Sequence, residues 1–457
     1  MVLMLLSFSI KGYKMYSKNA TLSMEAAPKQ KDLGYSLLRE EVAGKERKGI
    51  CSAVIYGPNA AGKSALISAL RDFRNIVMRG GISVDDSGQD LSLVPSSFAD
   101  ETKPTAFEVL FTRTGALYQY GVVVDLGRFG RPNDPRRVLE ESLEVNGTPV
   151  FTRGVESVSI EVDPALEGRF SKAYLENRAA ADMLLATIDP TDLFLDNGFR
   201  TVVSPALARE VTSWFADDLV VVDKANETYV HPTGPEDLAN AIGSHFTEAA
   251  RLFGASSLNA LTFLKQEGSD APAELYTGVR TPHGLVALPS AKYESLGTTR
   301  FLNMLPFVEF ALTEGKVLVM DELDASIHPM AVMSIVNAFH DDGVNVNHAQ
   351  LVFTTHNPIF LDHNLFRRDE IKFVERDDDT GESVTYALSD FGTSGPNGVR
   401  RNDDYQQRYF MGRYGGIRDI DLVPFLKEQV RRGMHLDLTP EGVSAVAATS
   451  DTAEGAI

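Results

Sequence analysis

The chain has 457 residues, of which 43% are hydrophobic and 23% are charged, and its formal net charge at pH 7 is −19. These values are typical of a soluble globular protein with ample material for a core, and the length suits about three domains or one large α/β domain with insertions. No uncharged run approaches the roughly 20 residues that span a bilayer. The acidic balance argues against a surface that is basic throughout.

The N-terminal region begins with an apolar stretch, residues 1–10, which lacks a basic leader and a small-residue cleavage site. We therefore expect a core strand here and not a signal peptide. The single cysteine, Cys51, excludes an internal disulfide framework and suits a reducing compartment, so we expect a cytoplasmic protein. Because Cys51 precedes an apolar run, we expect it to be a small buried residue in a strand.

A phosphate-binding loop is predicted next. Residues 50–56 form an apolar run typical of a buried strand, and a helical stripe of apolar residues begins after Lys63. Between them lies a match to G-x-x-x-x-G-K-[ST], namely Gly57-Pro58-Asn59-Ala60-Ala61-Gly62-Lys63-Ser64. Glycines let backbone N–H groups surround phosphate oxygens, and the helix adds the positive end of its dipole. We expect Lys63 to reach the β- and γ-phosphates of ATP, Ser64 to ligate Mg²⁺, and Ala65 to adjoin the nucleotide.

The pattern changes twice in the middle of the chain. Alternation in residues 105–162 predicts an antiparallel β-rich lobe, whereas residues 163–265 show mostly helical spacing. Strand–helix alternation returns in residues 282–390 and predicts parallel-sheet units. The tail after Thr439 is small and polar, and we expect it to be disordered.

Two strand ends in residues 282–390 carry residues suited to catalysis. The apolar run Val317–Met320 is followed by Asp321, which can hold Mg²⁺, and Glu322, which can take a proton from an attacking water. Residues 351–355 form a later run that ends at His356. Because one strand–helix–strand unit separates the two ends, we expect His356 beside the γ-phosphate.

The order of these motifs resembles that of ABC-type ATPases. The phosphate loop is followed by Glu294-Ser295-Leu296-Gly297-Thr298, then by Asp321-Glu322-Leu323-Asp324-Ala325-Ser326, and then by Thr354-Thr355-His356. The likeness is to the SMC, RecF and OLD branch and not to the transporters. Closer still, the chain is similar to bacterial anti-phage ATPases of the RloA/AbiL type, a likeness that the late segment 408–417 also carries. It covers residues 1–125 and 285–420.

The resemblance implies further roles. Ser295 and Gly297 would form a signature motif that contacts the γ-phosphate of ATP held by a second copy, Asp324 would communicate across that dimer, and His356 would be the switch histidine. Ser295 precedes a predicted helix, so its hydroxyl and the helix-start N–H groups can face a phosphate. The signature is a reduced form, since it lacks a second Gly and a Gln.

Two features of the family pattern have no secure match. Gln119 and Asn197 are weak candidates for the glutamine loop, and Tyr13 and Tyr16 are candidates for an aromatic residue that stacks on adenine. For all four residues the alternative is an ordinary structural role.

The predicted fold is α/β: an ABC-type P-loop NTPase head with a mixed or antiparallel β lobe and a helical insertion. We expect residues 1–162 to hold the first part of the head with the phosphate loop and the β lobe. Residues 163–281 would form the mainly helical insertion. Residues 282–400 would hold the second part of the head, and residues 401–457 a C-terminal segment with a partly disordered tail.

Three functions follow from these patterns. The first is a Mg²⁺-dependent ATPase that forms a homodimer around ATP and regulates a separate effector, a nuclease, in bacterial anti-phage defence; the defence role rests on the resemblance alone. The second is a DNA-repair or chromosome-maintenance ATPase that binds DNA directly. That function needs a basic groove or a coiled-coil arm, and residues 163–265 show no sustained heptads.

The third function, a nuclease within this chain, is disfavoured. The acids at 377–379 directly follow Glu375, whereas a TOPRIM metal site takes such acids from a later strand. Residues 378–381 are better interpreted as a hairpin turn with solvated charges. The basic pairs are expected at the surface: Arg136-Arg137, Arg367-Arg368, Arg400-Arg401 and Arg431-Arg432.

Overall fold

The computed structural model describes most of the chain: residues 2–28, 30, 33–83, 93–96, 104–128, 134–179, 188–223, 236–253, 260–264, 274–393, 398–400, 402–418 and 421–432. Residues 1–417 form one compact unit and residues 418–457 form a second. The expected disorder after Thr439 lies outside the described residues. Among those that are described, no helix is long and apolar enough to cross a membrane.

The strands with defined bounds are, in chain order, β1 (Met4–Lys11), β2 (Ala20–Ser23), β3 (Leu37–Val42), β4 (Lys45–Ile50), β5 (Ser52–Tyr56), β6 (Thr105–Arg113), β7 (Ala116–Asp125), β8 (Arg137–Val145), β9 (Thr148–Arg153), β10 (Val158–Ile160), β11 (Leu219–Val222), β12 (Ala260–Leu264), β13 (Glu274–Thr281), β14 (Gly284–Pro289), β15 (Val317–Met320), β16 (Gln350–Thr354), β17 (Ile371–Arg376) and β18 (Ser383–Ala387).

The α-helices with defined bounds are α1 (Lys63–Arg79), α2 (Lys172–Glu176), α3 (Pro205–Ser213), α4 (Glu236–Phe253), α5 (Ser290–Tyr293), α6 (Leu296–Glu314), α7 (Pro329–His340), α8 (Tyr405–Phe410) and, in the second unit, α9 (Val423–Arg432). Two π-helical segments, Leu195–Val203 and Trp214–Asp218, flank α3.

The core sheet has the strand order β11-β15-β16-β5-β17-β18. Its first five strands are parallel, and β18 pairs antiparallel with β17. Every residue of β5, β15 and β16 is buried, which explains why these strands are continuous apolar runs in the sequence. The carboxyl ends of these three strands therefore lie side by side, with β16 in the middle.

The second sheet is antiparallel and has the order β10-β9-β8-β7-β6-β1-β2. Phe73 of α1 stacks on Phe107 of β6 and Tyr120 of β7, with ring centroids 5.4 and 5.9 Å apart. One hydrophobic cluster joins this sheet, α1 and one face of the core sheet, while the other face packs against α6 and α7. The predicted α/β fold with an antiparallel β lobe is thus confirmed, and the lobe fixes the helix that follows the phosphate loop.

The region 163–281 departs from the prediction of a mainly helical insertion. It contains α2, α3 and α4, but β11 is an edge strand of the core sheet, paired in parallel with β15. Strands β12 and β13 belong to a separate three-stranded sheet with β14. The helical prediction is wrong for these strands, because a four-residue apolar run such as Leu219–Val222 cannot be distinguished from a helix segment by periodicity alone.

Several smaller expectations can be compared with the structure. The apolar N-terminal stretch forms β1, and Cys51 is buried. Residues 377–382 connect β17 to β18, and Asp377 Oδ1 accepts hydrogen bonds from backbone N–H groups in that turn. The surface prediction is wrong for Arg367, which is 1% exposed and forms an ion pair with Asp369.

Candidate functional site

The predicted phosphate loop connects the end of β5 to the start of α1. Its backbone curls sharply, with left-handed φ values of 60° at Ala60 and 116° at Gly62. A Cβ at Gly57 would lie 2.3 Å from the main-chain oxygen of Val374, and one at Gly62 would lie 3.0 Å from the hydroxyl of Tyr16. The loop can therefore adopt this shape only with glycine at both positions.

Two side chains support the loop from inside the protein. The Tyr16 hydroxyl donates to the Gly62 oxygen at 2.9 Å, and the Ser383 hydroxyl donates to the Ala61 oxygen at 2.6 Å. Tyr16 is fully buried, as is Tyr13, whose hydroxyl donates to Asp72 at 2.6 Å. Both tyrosines therefore have structural roles, and neither ring is available to stack on adenine.

Lys63 is the buried cation of the site, with 5% of its surface exposed. Its Nζ donates to the main-chain oxygens of Gly57 at 2.8 Å and Pro58 at 3.2 Å, and lies 3.5 Å from Nδ1 of His356. Burial lowers the pKa of Lys63 to about 8, and the nearby carboxylates, led by Asp321, partly oppose this shift. The ammonium group therefore lacks a full counter-charge in this state, which an anionic ligand could provide.

Thr354, the last residue of β16, contacts both acidic residues that follow β15. The Thr354 hydroxyl donates to Oδ1 of Asp321 at 2.5 Å and accepts from the backbone N–H of Glu322 at 2.7 Å. Asp321 itself is buried. One hydroxyl thus orients the side chain of the first acid and the backbone of the second, a role that sequence analysis missed.

Glu322 has a left-handed backbone, with φ at 50°, which is unusual for a residue with a side chain. Its main-chain oxygen accepts a hydrogen bond of 2.5 Å from Nη2 of Arg300, a buried residue of α6. Together with Thr354, Arg300 fixes both backbone groups of Glu322. No sequence pattern singles out this arginine, because its partner lies 22 positions further along the chain.

His356 follows β16 and is exposed. Burial lowers the pKa of its imidazole, and the positive charge of Lys63 lowers it further, against the opposing effect of the carboxylates. The neutral imidazole is therefore the favoured form near pH 7, which suits a hydrogen bond to a phosphate oxygen.

These groups surround one open cavity of about 200 Å³. Its lining contains Met15, residues 59–65, Glu322 and His356. The structure thus brings the loop together with the expected base and the expected histidine, both of which lie far from the loop in the sequence. Met15 is a lining residue that sequence analysis did not identify.

The fit to Mg·ATP can be judged from these groups alone. A buried ammonium, a helix N-terminus and a glycine-curled backbone are donors suited to phosphate oxygens. Ser64, at the cavity, and Asp321, at the end of β15, offer the hard oxygen ligands that Mg²⁺ prefers. The residues present therefore fit both groups.

The predicted signature motif lies outside this cavity. Ser295 is exposed and caps α6, since its Oγ accepts from the backbone N–H of Thr298 at 3.1 Å. A Cβ at Gly297 would lie 2.4 Å from the main-chain oxygen of Ser326, so α6 begins in close contact with the loop that follows Glu322. In that loop, burial raises the pKa of Asp324, while a hydrogen bond with Thr355 opposes the shift.

Neither glutamine-loop candidate lines the cavity. Gln119 lies within β7, where it faces Leu110 of β6 and Glu144 of β8. The side-chain amide of Asn197 donates to the main-chain oxygen of Gly80 at 3.3 Å, at the end of α1. Both residues have the structural role that was their alternative.

A phosphate loop between a buried parallel strand and a helix, with acids at the end of a second parallel strand in the same sheet, defines a P-loop nucleoside triphosphatase fold. The chain belongs to the family described as "AAA domain, putative AbiEii toxin, Type IV TA system", whose sequence profile matches residues 52–186 and 240–362. No curated protein sequence matches the chain.

Among solved structures, the SMC head domain from Thermotoga maritima is similar to this chain, with 14% sequence identity. The similarity covers 85% of this chain and 99% of that chain, at a TM-score of 0.35. That score is too low to support a conclusion, so the fold assignment rests on the topology and on the family match.

Proposed function

We propose that this chain binds Mg·ATP at the phosphate loop and hydrolyses it. The observation that carries the proposal is the meeting of Lys63, Glu322 and His356 around one cavity, at the ends of three adjacent parallel strands. Such a meeting is needed when several groups must act on one phosphate chain.

Each group has a distinct role in this proposal. Lys63 and the loop N–H groups hold the β- and γ-phosphates, and Ser64 and Asp321 hold Mg²⁺, which when bound neutralises developing charge. Glu322 accepts a proton from the attacking water at a position fixed by Arg300 and Thr354. The neutral imidazole of His356 donates to the γ-phosphate.

Phosphate release from ATP by the purified chain tests this proposal. Lys63→Ala should reduce turnover by about 100-fold or more, because it removes the charge that stabilises the phosphate chain. Lys48→Ala is the matched control, since Lys48 lies on β4 and pairs with Glu46 at the surface. Equal turnover in the wild type and Lys63→Ala would remove the phosphate loop from the mechanism.

We further propose that two copies of the chain enclose ATP between them. The support is the position of Ser295 and Leu296. Both residues are exposed, Leu296 by 72%, and neither lines the cavity of its own chain. A serine hydroxyl and the N-terminus of the 19-residue α6 face outward there, where they can contact a phosphate held by a second molecule.

The finer proposal is that this dimer is a regulatory switch in bacterial anti-phage defence and controls a separately encoded effector, a nuclease. Its support is the resemblance to RloA/AbiL-type ATPases, together with the toxin and toxin–antitoxin terms in the family description.

Expression of the chain with the product of the adjacent gene should reduce phage plating, and Lys63→Ala should abolish the protection. Protection that persists in Lys63→Ala would separate the phenotype from nucleotide binding.

A further inference from the structure

A buried cluster of metal-ligating side chains lies at the opposite ends of the core strands from the phosphate loop. Cys51 immediately precedes β5, Glu370 immediately precedes β17, and His340 is the last residue of α7. Cys51 and Glu370 are fully buried and His340 is 5% exposed. A sulfur, a ring nitrogen and a carboxylate oxygen from the three residues all lie within 4.8 Å of one another.

The hydrogen bonds of the cluster are incomplete. His340 Nε2 lies 2.9 Å from Ser52 Oγ and 3.0 Å from Oε1 of Glu370. His340 Nδ1 is buried and has no hydrogen-bond partner among the described residues. The hydroxyl of Ser36 is also buried without such a partner there, and its main-chain oxygen accepts from the N–H of Cys51. Nε2 is the nitrogen that faces Ser52 and Glu370, so the ring keeps one unsatisfied nitrogen, Nδ1, whichever tautomer it adopts.

No lysine or arginine in the described part of the chain forms an ion pair with Glu370, although the buried Lys372 is close enough to interact with its charge. A carboxylate as deeply buried as that of Glu370 needs a cation nearby. The guanidinium of Arg367 pairs with Asp369, and Arg367 reaches Glu370 through its backbone N–H at 2.7 Å. In the described part of the chain, His340 is the ion-pair partner of Glu370, and only if its ring is protonated.

We propose that Cys51, His340 and Glu370 bind a structural Zn²⁺ ion. Sulfur, imidazole and carboxylate ligands together suit Zn²⁺ better than Mg²⁺ or Ca²⁺. Tetrahedral ligands at zinc distances lie about 3.5 Å apart, within the observed limit. The ion would neutralise Glu370 and connect the starts of β5 and β17 to the end of α7, leaving a fourth position for water.

Binding would also change the state of the thiol. Burial raises the pKa of Cys51, and the charge of Glu370 raises it further, so the metal-free cysteine keeps its proton. Zn²⁺ ligates the thiolate, so one proton leaves as the S–Zn bond forms. Because the site is buried, the ion should enter during folding.

The test uses the untagged full chain expressed in medium supplemented with Zn²⁺ or with Co²⁺. Roughly one zinc per chain is expected by elemental analysis, and the cobalt form should show thiolate-to-cobalt charge-transfer absorption. Because Cys51 is the single cysteine, no other residue of the chain can produce that band. Cys51→Ala and the near-isosteric Glu370→Gln should both lose the metal.

Two control variants distinguish this site from a metal ion bound elsewhere in the chain. Ser52→Ala removes a hydroxyl bonded to His340 and Glu370 but removes no ligand, so it should keep the metal. Lys63→Ala should also keep it, which separates the ion from one bound at the phosphate loop. A wild-type chain without metal in both media, a cobalt form without the band, or full metal content in Cys51→Ala would each overturn the proposal.

Discussion

The guanidinium of Arg300 donates a hydrogen bond of 2.5 Å to the main-chain oxygen of Glu322. Arg300 belongs to α6, the helix capped by Ser295, whereas Glu322 is the proposed base at the end of β15. The bond therefore connects the proposed signature helix to the proposed catalytic loop of the same chain. If a second copy places its ATP against Ser295, a shift of α6 would move Glu322 directly.

Replacing Arg300 should impair hydrolysis more than binding. Arg300→Met keeps most of the side-chain length but releases the oxygen of Glu322, whose left-handed backbone should then relax. We expect turnover to fall by about tenfold to 100-fold, because small misplacements of a catalytic group have effects of that size. ATP affinity, measured by equilibrium titration, should change by less than about threefold.

Arg74→Met is a matched control for that experiment. Arg74 donates to the main-chain oxygen of Phe215 at 2.8 Å, away from the site, so its loss removes a comparable bond. Its turnover should remain near that of the wild type. Equal losses of turnover in both variants would show that Arg300 acts through general stability and not through Glu322.

Thr354 should control both the metal and the base. Thr354→Val removes the hydroxyl that orients Asp321 and Glu322, so we expect lower turnover and a higher Mg²⁺ concentration for half-maximal activity. Thr354→Ser keeps the hydroxyl and should retain most of the activity. The measurement is a Mg²⁺ titration of the steady-state rate, and an unchanged midpoint in Thr354→Val would argue against the proposed metal ligand.

ATP binding should be accompanied by proton uptake near pH 8. Burial lowers the pKa of Lys63 to about 8, and bound phosphates should raise it, so a chain that is about half deprotonated at pH 8 takes up roughly half a proton. The uptake should decline towards pH 7, where Lys63 is already protonated. Calorimetry in buffers with different ionisation enthalpies measures it.

Lys63→Arg serves as the control, because a guanidinium keeps its charge throughout this range. Any binding that remains in Lys63→Arg should show no proton uptake at pH 8. Zero uptake in the wild type at that pH would mean that Lys63 is fully charged before ATP arrives.

The parts of the site that could be predicted are contiguous in sequence. The phosphate loop, the acids after β15 and the histidine after β16 each follow an apolar run, and parallel strands end at one edge of the sheet. Thr354 and Arg300 could not be predicted, because their roles depend on neighbours fixed by tertiary structure. The register that pairs Met320 with Phe353 brings Thr354 level with Asp321, and no local pattern encodes it.

The fold was predictable to a similar extent. The buried strands and α1 have strong periodic patterns, whereas β11 is a four-residue run whose identity depends on its pairing with β15. Tyr16 shows the same limit. Its aromatic ring made it a candidate for stacking on adenine, but in the structure its hydroxyl donates a hydrogen bond to the main-chain oxygen of Gly62. In both cases, a residue or strand that is distant in the sequence decides between two alternatives that the local sequence allows: strand or helix for β11, and adenine stacking or a structural role for Tyr16.

If the site is shared between two copies, two inactive variants should restore activity when mixed. Lys63→Ala removes the phosphate loop, and Ser295→Arg blocks the signature face, so each homodimer has no intact site. A mixed dimer contains one complete site, built from the loop of one chain and the signature of the other. Restored turnover on mixing, up to about a quarter of the wild-type rate for random pairing, is expected; no recovery would argue for sites contained within one chain.

The most direct test of the central claim is the mass of Glu322→Gln in solution with Mg·ATP. The substitution removes the base but keeps Lys63, Ser64 and Asp321, so ATP should bind and remain intact. Light scattering after size exclusion should show twice the mass of the chain with ATP and the mass of one chain with ADP. A mass that does not respond to nucleotide, although ATP is bound, would contradict an ATP-enclosed dimer.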